Sequence, residues 1–131
     1  MNQEVMIPVS AGELIDKITI LEIKQSKITD PSKLKNIIHE LNLLMNIYSK
    51  MDVKNVEIDL LKTQLKRINS ILWDIEDAKR HHERLQNFDA AFVGLARSVY
   101  IENDNRAKIK KEINLLLDSG IVEEKSYAKY K

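Results

Sequence analysis

The chain has 131 residues, with 21 basic against 20 acidic side chains, a net charge of +1, no cysteine, three glycines and two prolines. That length fits one domain, 1–131, able to bury roughly two-thirds of its unfolded surface. The composition excludes disulfides, thiolate nucleophiles and cysteine zinc sites, and it disfavours turn-rich sandwiches and barrels.

The balanced charge argues against a general nucleic-acid binder. No apolar run approaches the roughly 20 residues that span a bilayer. The opening Met1-Asn2-Gln3-Glu4-Val5 lacks the basic start and apolar core of a secretion signal. The expectation is therefore a cytoplasmic protein with neither nucleic-acid nor membrane partners.

Residues 1–9 read as an extended lead, apolar at Val5, Met6, Ile7 and Val9 around Pro8. Ser10-Ala11-Gly12-Glu13 is a capping box, in which Ser10 accepts from the Glu13 amide and Glu13 reaches back. The first helix starts near Ala11. Leu14, Ile15, Ile18, Ile20, Leu21 and Ile23 cover most of its circumference, which marks a central helix. Residues 17–23 are also β-branched enough for a strand. The helix is favoured because a cap precedes it and no turn chemistry follows until Thr29-Asp30-Pro31.

Asp30-Pro31 starts the second helix, which runs to about Lys50 on the stripe Leu34, Ile37, Leu41, Leu44, Tyr48. Met51-Asp52-Val53 is the next junction. The third helix carries Ile58, Leu61, Leu65, Ile68, Leu72 and Ile75, continues to about Gln86, and is long enough to outrun a bundle. Asn87-Phe88-Asp89 breaks it. The fourth helix has Phe92, Leu95, Val99, Ile109, Ile113 and Leu116 on one side, and Asp118-Ser119-Gly120 closes it with Gly120 as the C-terminal cap. The tail from Ile121 to Lys131 docks, on this reading, by Ile121, Val122, Tyr127 and Tyr130.

The fourth helix's stripe is interrupted by Glu102, Asn103 and Arg106. A packed helix carries such groups on its inner side only if something satisfies them. Either Asn103 and Arg106 face a ligand, the arginine fork suiting carboxylate or phosphate, or the segment kinks or begins a new helix capped by Asn103 or Asp104, with Arg106 paired to a neighbouring carboxylate. Asp74, Glu76 and Asp77 crowd one stretch of the third helix. They suit a magnesium ion or a solvated face with a Glu76–Arg80 pair. Asp16 and Lys17 sit on a helix with little solvent-facing surface, so each needs a partner or a cavity. Trp73 reads as a packing residue or interface anchor. The adjacent His81 and His82 point about 100° apart and cannot chelate one ion together. Glu123-Glu124-Lys125-Ser126-Tyr127 either closes over a site or is an exposed tail.

Together these stretches resemble an uncharacterised family of small bacterial and phage proteins of unknown function. The matching text is Ile7-Pro8-Val9-Ser10 with Gly12 to Lys24, Leu72 to Asp77, Leu95 to Tyr100, Asn103 to Ala107, Lys110, Ile113-Asn114, and Glu123 to Tyr127. The resemblance covers nearly the whole chain. It implies a sugar or nucleotide-sugar context, from occurrence near surface-polysaccharide genes, and carries no catalytic role. Its motifs fall on the polar clusters, which favours one ligand pocket shared by Asp16, Lys17, Glu76, Asp77, Arg97, Asn103, Arg106 and Lys125. The all-α nucleotide pyrophosphohydrolases are a weaker comparison. They pair E-x-x-E with a nearby E-x-x-D, whereas Glu76 here lies far beyond Glu13 and Asp16. Chorismate mutase would want more arginines than Arg97 and Arg106.

The expectation is an all-α protein, an antiparallel four-helix bundle with a buried first helix and a short C-terminal tail. It would bind a small anionic or sugar-nucleotide ligand, with magnesium as the candidate cofactor, no protein metal site assigned and no catalytic residue named. The alternatives are a helical interaction module, with a homodimer covering surplus apolar stripe, and a magnesium-dependent phosphohydrolase.

Overall fold

A computed structural model describes residues 3–131. Its four helices are α1 (Ala11–Lys27), α2 (Pro31–Lys50), α3 (Val56–Leu85) and α4 (Ala90–Leu116). There is no strand among the described residues, so residues 17–23 are helical. None of these helices is long and apolar enough to cross a membrane.

The helix ends follow local chemistry. Ser10 accepts from the Glu13 amide, Asp30 from Ser32, Asn55 from Glu57 and Asp89 from Phe92, so every start has a side-chain oxygen on an orphan donor. Gln86 and Asp118 adopt the left-handed conformation after α3 and α4, with φ of 53° and 50°. Gly120 was the expected closing residue. It has no positive φ, because Asp118 takes the left-handed turn two residues earlier.

The core has two lobes that meet at α1. Ile15 joins Ile58, Leu61 and Leu65 of α3 with Ile109 and Ile113 of α4. Leu14, Ile18 and Leu21 join Ile37 and Leu41 of α2. Burying each such side chain contributes about 1.5–3 kcal/mol. Accordingly α1 packs against all three other helices, while the backbone of α2 approaches α1 alone. Tyr48 touches both lobes and lies under the Lys62 ammonium, 5.6 Å from the ring centre.

Past α1 the long helices lose their cover. The Lys27 ammonium at the end of α1 meets Asp74 at 3.9 Å, and from Glu76 to Lys108 no residue is fully buried. The expected α4 stripe is therefore only part of the core. Ile109 and Ile113 are buried, Phe92, Leu95 and Val99 are half-buried, and Leu116 is exposed. At the α3–α4 connection Phe88 and Phe92 make an edge-to-face contact at 5.1 Å. The segment 102–106 is unbroken helix, without a kink or a fresh cap at Asn103 or Asp104.

Candidate functional site: a buried carboxylate between two recesses

The site begins where α1 starts. The first turn of a helix leaves amides without partners, and here three elements supply them. The Ala11 amide donates to Ser119 Oγ at 3.1 Å, the Gly12 amide to Asn114 Oδ1 at 2.6 Å, and the Glu13 amide to Ser10 Oγ at 3.1 Å. The end of α4 thus caps the start of α1. Gly12 permits this approach, since a Cβ there would stand 2.5 Å from the Lys110 carbonyl oxygen. The Glu13 carboxylate turns to Lys110, 2.6 Å away, rather than to the role expected of it in a capping box.

One turn further, Asp16 is completely buried. Its Oδ1 accepts from Asn69 Nδ2 at 2.8 Å and from Arg106 Nε at 3.0 Å, and Arg106 also donates to Oδ2. The Asn69 amide donates to Thr19 Oγ1 at 3.0 Å as well, and Thr19 donates to the Asp16 carbonyl at 2.7 Å. The Lys110 ammonium lies 3.9 Å from Asp16 Oδ2 and 3.4 Å from Glu123. A buried charge demands this density of partners.

The hydrogen bond from Arg106 to Asp16 raises the arginine's pKa above its already high ordinary value against the opposing effect of burial. For Lys110, burial lowers the pKa. The Glu13 hydrogen bond and the fields of Asp16, Glu13 and Glu123 outweigh that, so its net shift is upward. Both cations are fixed as charged groups at neutral pH.

Two recesses flank this network and share Arg106. The first, about 250 Å³, presents Arg106, Lys110, Lys111 and Lys125 with Asn103 and Asn114, against the single acid Glu123. The second, about 400 Å³, lies between α1 and α3, with Ile20, Ile23, Leu72 and Trp73 as its apolar walls and Glu76 and Asp77 at its rim. Asn103 reaches Arg106 at 3.5 Å, and Lys125 is tied to Asp104 at 3.9 Å.

Of the residues expected in one pocket, Asn103, Arg106 and Lys125 line the first recess, while Glu76, Asp77 and Arg106 line the second. Asp16 lies buried behind Arg106, open to neither. Lys17 is half-exposed and pairs with Glu13 at 3.9 Å. Arg97 is exposed, nine residues before Arg106 and so about 13 Å away along the helix. The acids considered for magnesium are divided: Asp16 and Glu13 hold Arg106 and Lys110, while Glu76 holds Lys79 and Arg80. Among the described residues no group of three or more His, Cys, Asp or Glu side chains stands together as a metal site.

Asn69, Asn114 and Lys110 were not singled out as site residues. Asn69 and Asn114 carried a signal, each being a poor helix former on an apolar face, the same cue that marked Asn103. Lys110 had no cue in its own residue type, since a lysine in a lysine-rich helix looks like surface, although it falls in the text that carries the family resemblance.

Comparison with curated proteins and with solved structures returned no match. The family model for a family of unknown function, DUF6165, matches residues 5–130, and the chain belongs to that family.

Proposed function

We propose that this protein binds a small phosphorylated ligand, sugar nucleotides among them, in the recess formed by α4 and the C-terminal tail. The observation that carries this reading is the lining of that recess, four cations with one acid, each cation also facing a carboxylate (Asp16, Glu13, Glu124 or Asp104) with which an anionic ligand would compete. Two of the cations, Arg106 and Lys110, are held in place by Asp16 and Glu13, which lowers the ordering cost of gripping an anion. Asn103 and Asn114 add amide groups beside them. The architecture we propose is the antiparallel bundle with a buried first helix. In support, partners step back along α4 from Asn114 to Arg106 as they step forward along α1 from Gly12 to Asp16, and eight residues of α1 are buried.

The test is thermal shift with inorganic phosphate, nucleotides and sugar nucleotides, with and without magnesium. A ligand that binds only the native state raises its apparent stability. The double variant Lys111→Gln/Lys125→Gln removes two half-exposed cations while leaving the Asp16 network whole. Loss of the shift in that variant supports the recess, whereas an unchanged shift places the anion elsewhere.

A second reading, a helical assembly module forming a homodimer, is favoured by apolar side chains left uncovered. On α2 these are Ile38, Leu43, Met45 and Ile47, each 37–44% exposed, and in the lead Val5, Met6 and Ile7 are 70–82% exposed. Sedimentation across a concentration series tests it, and a monomer at every concentration rejects it.

A further inference from the structure

The geometry points to a second binding seat under Trp73, chemically unlike the cationic recess, that takes a neutral ring bearing hydrogen-bond donors. The inference starts from Asn69, only 6% exposed. Its amide can point one way, because an oxygen turned toward Asp16 would meet a carboxylate. Both its donor bonds are accounted for, to Asp16 and Thr19. Its Oδ1 accepts from no donor among the described residues, yet it is not sealed off from solvent. It belongs to the lining of the 400 Å³ recess between α1 and α3. Asn69 thus lines the cavity and carries an amide oxygen that no protein donor serves, open to a donor brought by water or by a ligand.

The surroundings define what would do so. Ile20, Ile23, Leu72 and Trp73 form apolar walls. Glu76 is committed to Arg80 and Lys79, and Arg106 to Asp16. That leaves Asp77 and Lys24 at the rim, opposite charges without ion-pair partners among the described residues. One uncommitted anion and one uncommitted cation cancel, so the seat favours an uncharged ligand. Asn69 Oδ1 and Asp77 accept, Lys24 donates, and the Trp73 indole offers a face for stacking. A sugar ring with adjacent hydroxyls has this chemistry, and so does a nucleobase carrying an exocyclic amino group. Both present donors and an acceptor on the edge of an uncharged ring.

Trp73 is the one tryptophan of the chain, so its emission reports on this recess alone. The protein is titrated with free monosaccharides in one series and with adenosine or cytidine in another, exciting beyond nucleoside absorption. A saturable change with one series identifies the source of the ring. The rim variants Asp77→Ala and Lys24→Ala should each weaken that response about tenfold, the effect of losing one hydrogen bond to a charged group, with the helical circular dichroism unchanged. Absence of a saturable change in both series at millimolar concentrations overturns the proposal, as does a response that survives both substitutions undiminished. The phosphate recess is read separately by inorganic phosphate and the lysine variants, so either seat can fail without the other.

Discussion

Asp16 and Arg106, ninety residues apart in the chain, meet as a two-pronged ion pair whose aspartate side chain is wholly buried and whose arginine side chain is 28% exposed. Such a pair is a weak source of net stability but a strong constraint, because neither charge tolerates the loss of the other. It ties α1 to α4 and anchors an arginine that lines both recesses.

Arg106→Leu should therefore destabilise the protein by about 3–5 kcal/mol, leaving Asp16 buried with only Asn69 and Lys110 for company. Adding Asp16→Leu should restore part of that loss, since a neutral apolar pair carries no desolvation cost. Urea unfolding of the two single variants and the double variant measures the coupling. A stable Arg106→Leu protein that no longer shifts with phosphate would instead make Arg106 a ligand group first.

Gly12→Ala tests the close approach of α1 to α4. Alanine is intrinsically better in a helix by about 0.8–1.0 kcal/mol. Here its Cβ would press on the Lys110 carbonyl at 2.5 Å and on Asn114 Oδ1 at 3.0 Å. Backbone cannot yield cheaply, so the net expectation is a loss of about 1–3 kcal/mol. Asn114→Ala should cost about 1–3 kcal/mol by stranding the Gly12 amide. Melting temperatures of both variants check this.

The shift of Lys110 sets an alkaline limit. Its folded pKa is above the unfolded value of 10.5. Its contribution is thus fully present below about pH 10.5 and is lost as pH rises through the folded pKa. Glu76 works in the opposite sense, its pKa being lowered by hydrogen bonds from Arg80 and Lys79. Its contribution is present above the unfolded value of 4.5 and fades as pH falls through the folded pKa, and solvent exposure keeps it small. Unfolding free energy against pH, compared with Lys110→Met and Glu76→Gln, should flatten the alkaline and acid limbs respectively.

The tail supplies a functional prediction. Glu123 lies 3.4 Å from Lys110 and Glu124 3.1 Å from Lys111, so the tail's carboxylates already occupy the cations an anion would use. Glu123→Gln should tighten phosphate binding a few-fold by removing a competing charge. It should change stability by less than about 1 kcal/mol, as expected of an exposed pair. Calorimetric titration with inorganic phosphate reads the first effect, and weaker binding would show that Glu123 belongs to the ligand's own contacts.

The helices were legible because their signals are local. Ser10, Pro31, Asp89 and the three-and-four spacing of Ile and Leu each act within a turn or two, and the observed starts at Ala11, Pro31 and Ala90 follow from them. The polar break at Asn103 and Arg106 was legible as a problem, because burial of such groups demands partners whatever the fold. Closure at Gly120 was misread, since aspartate shares glycine's tolerance of the left-handed turn and Asp118 comes first.

The partners themselves were a matter of tertiary structure. Nothing near Asp16 in the chain says that Arg106 and Asn69 will reach it, and nothing near Gly12 says that Asn114 will cap it. Those choices depend on how α4 slides and rotates against α1, which packing of Ile15 with Ile109 and Ile113 decides. The same packing puts Arg106 in the lining of two recesses, leaves Arg97 exposed on α4, and places Asn69 in the lining of one of them. Sequence by itself determined which segments are helical and which residues would be costly to bury. The three-dimensional arrangement decided which of those costs are met from within, because hydrogen bonds and ion pairs act over a few ångströms of space regardless of distance along the chain.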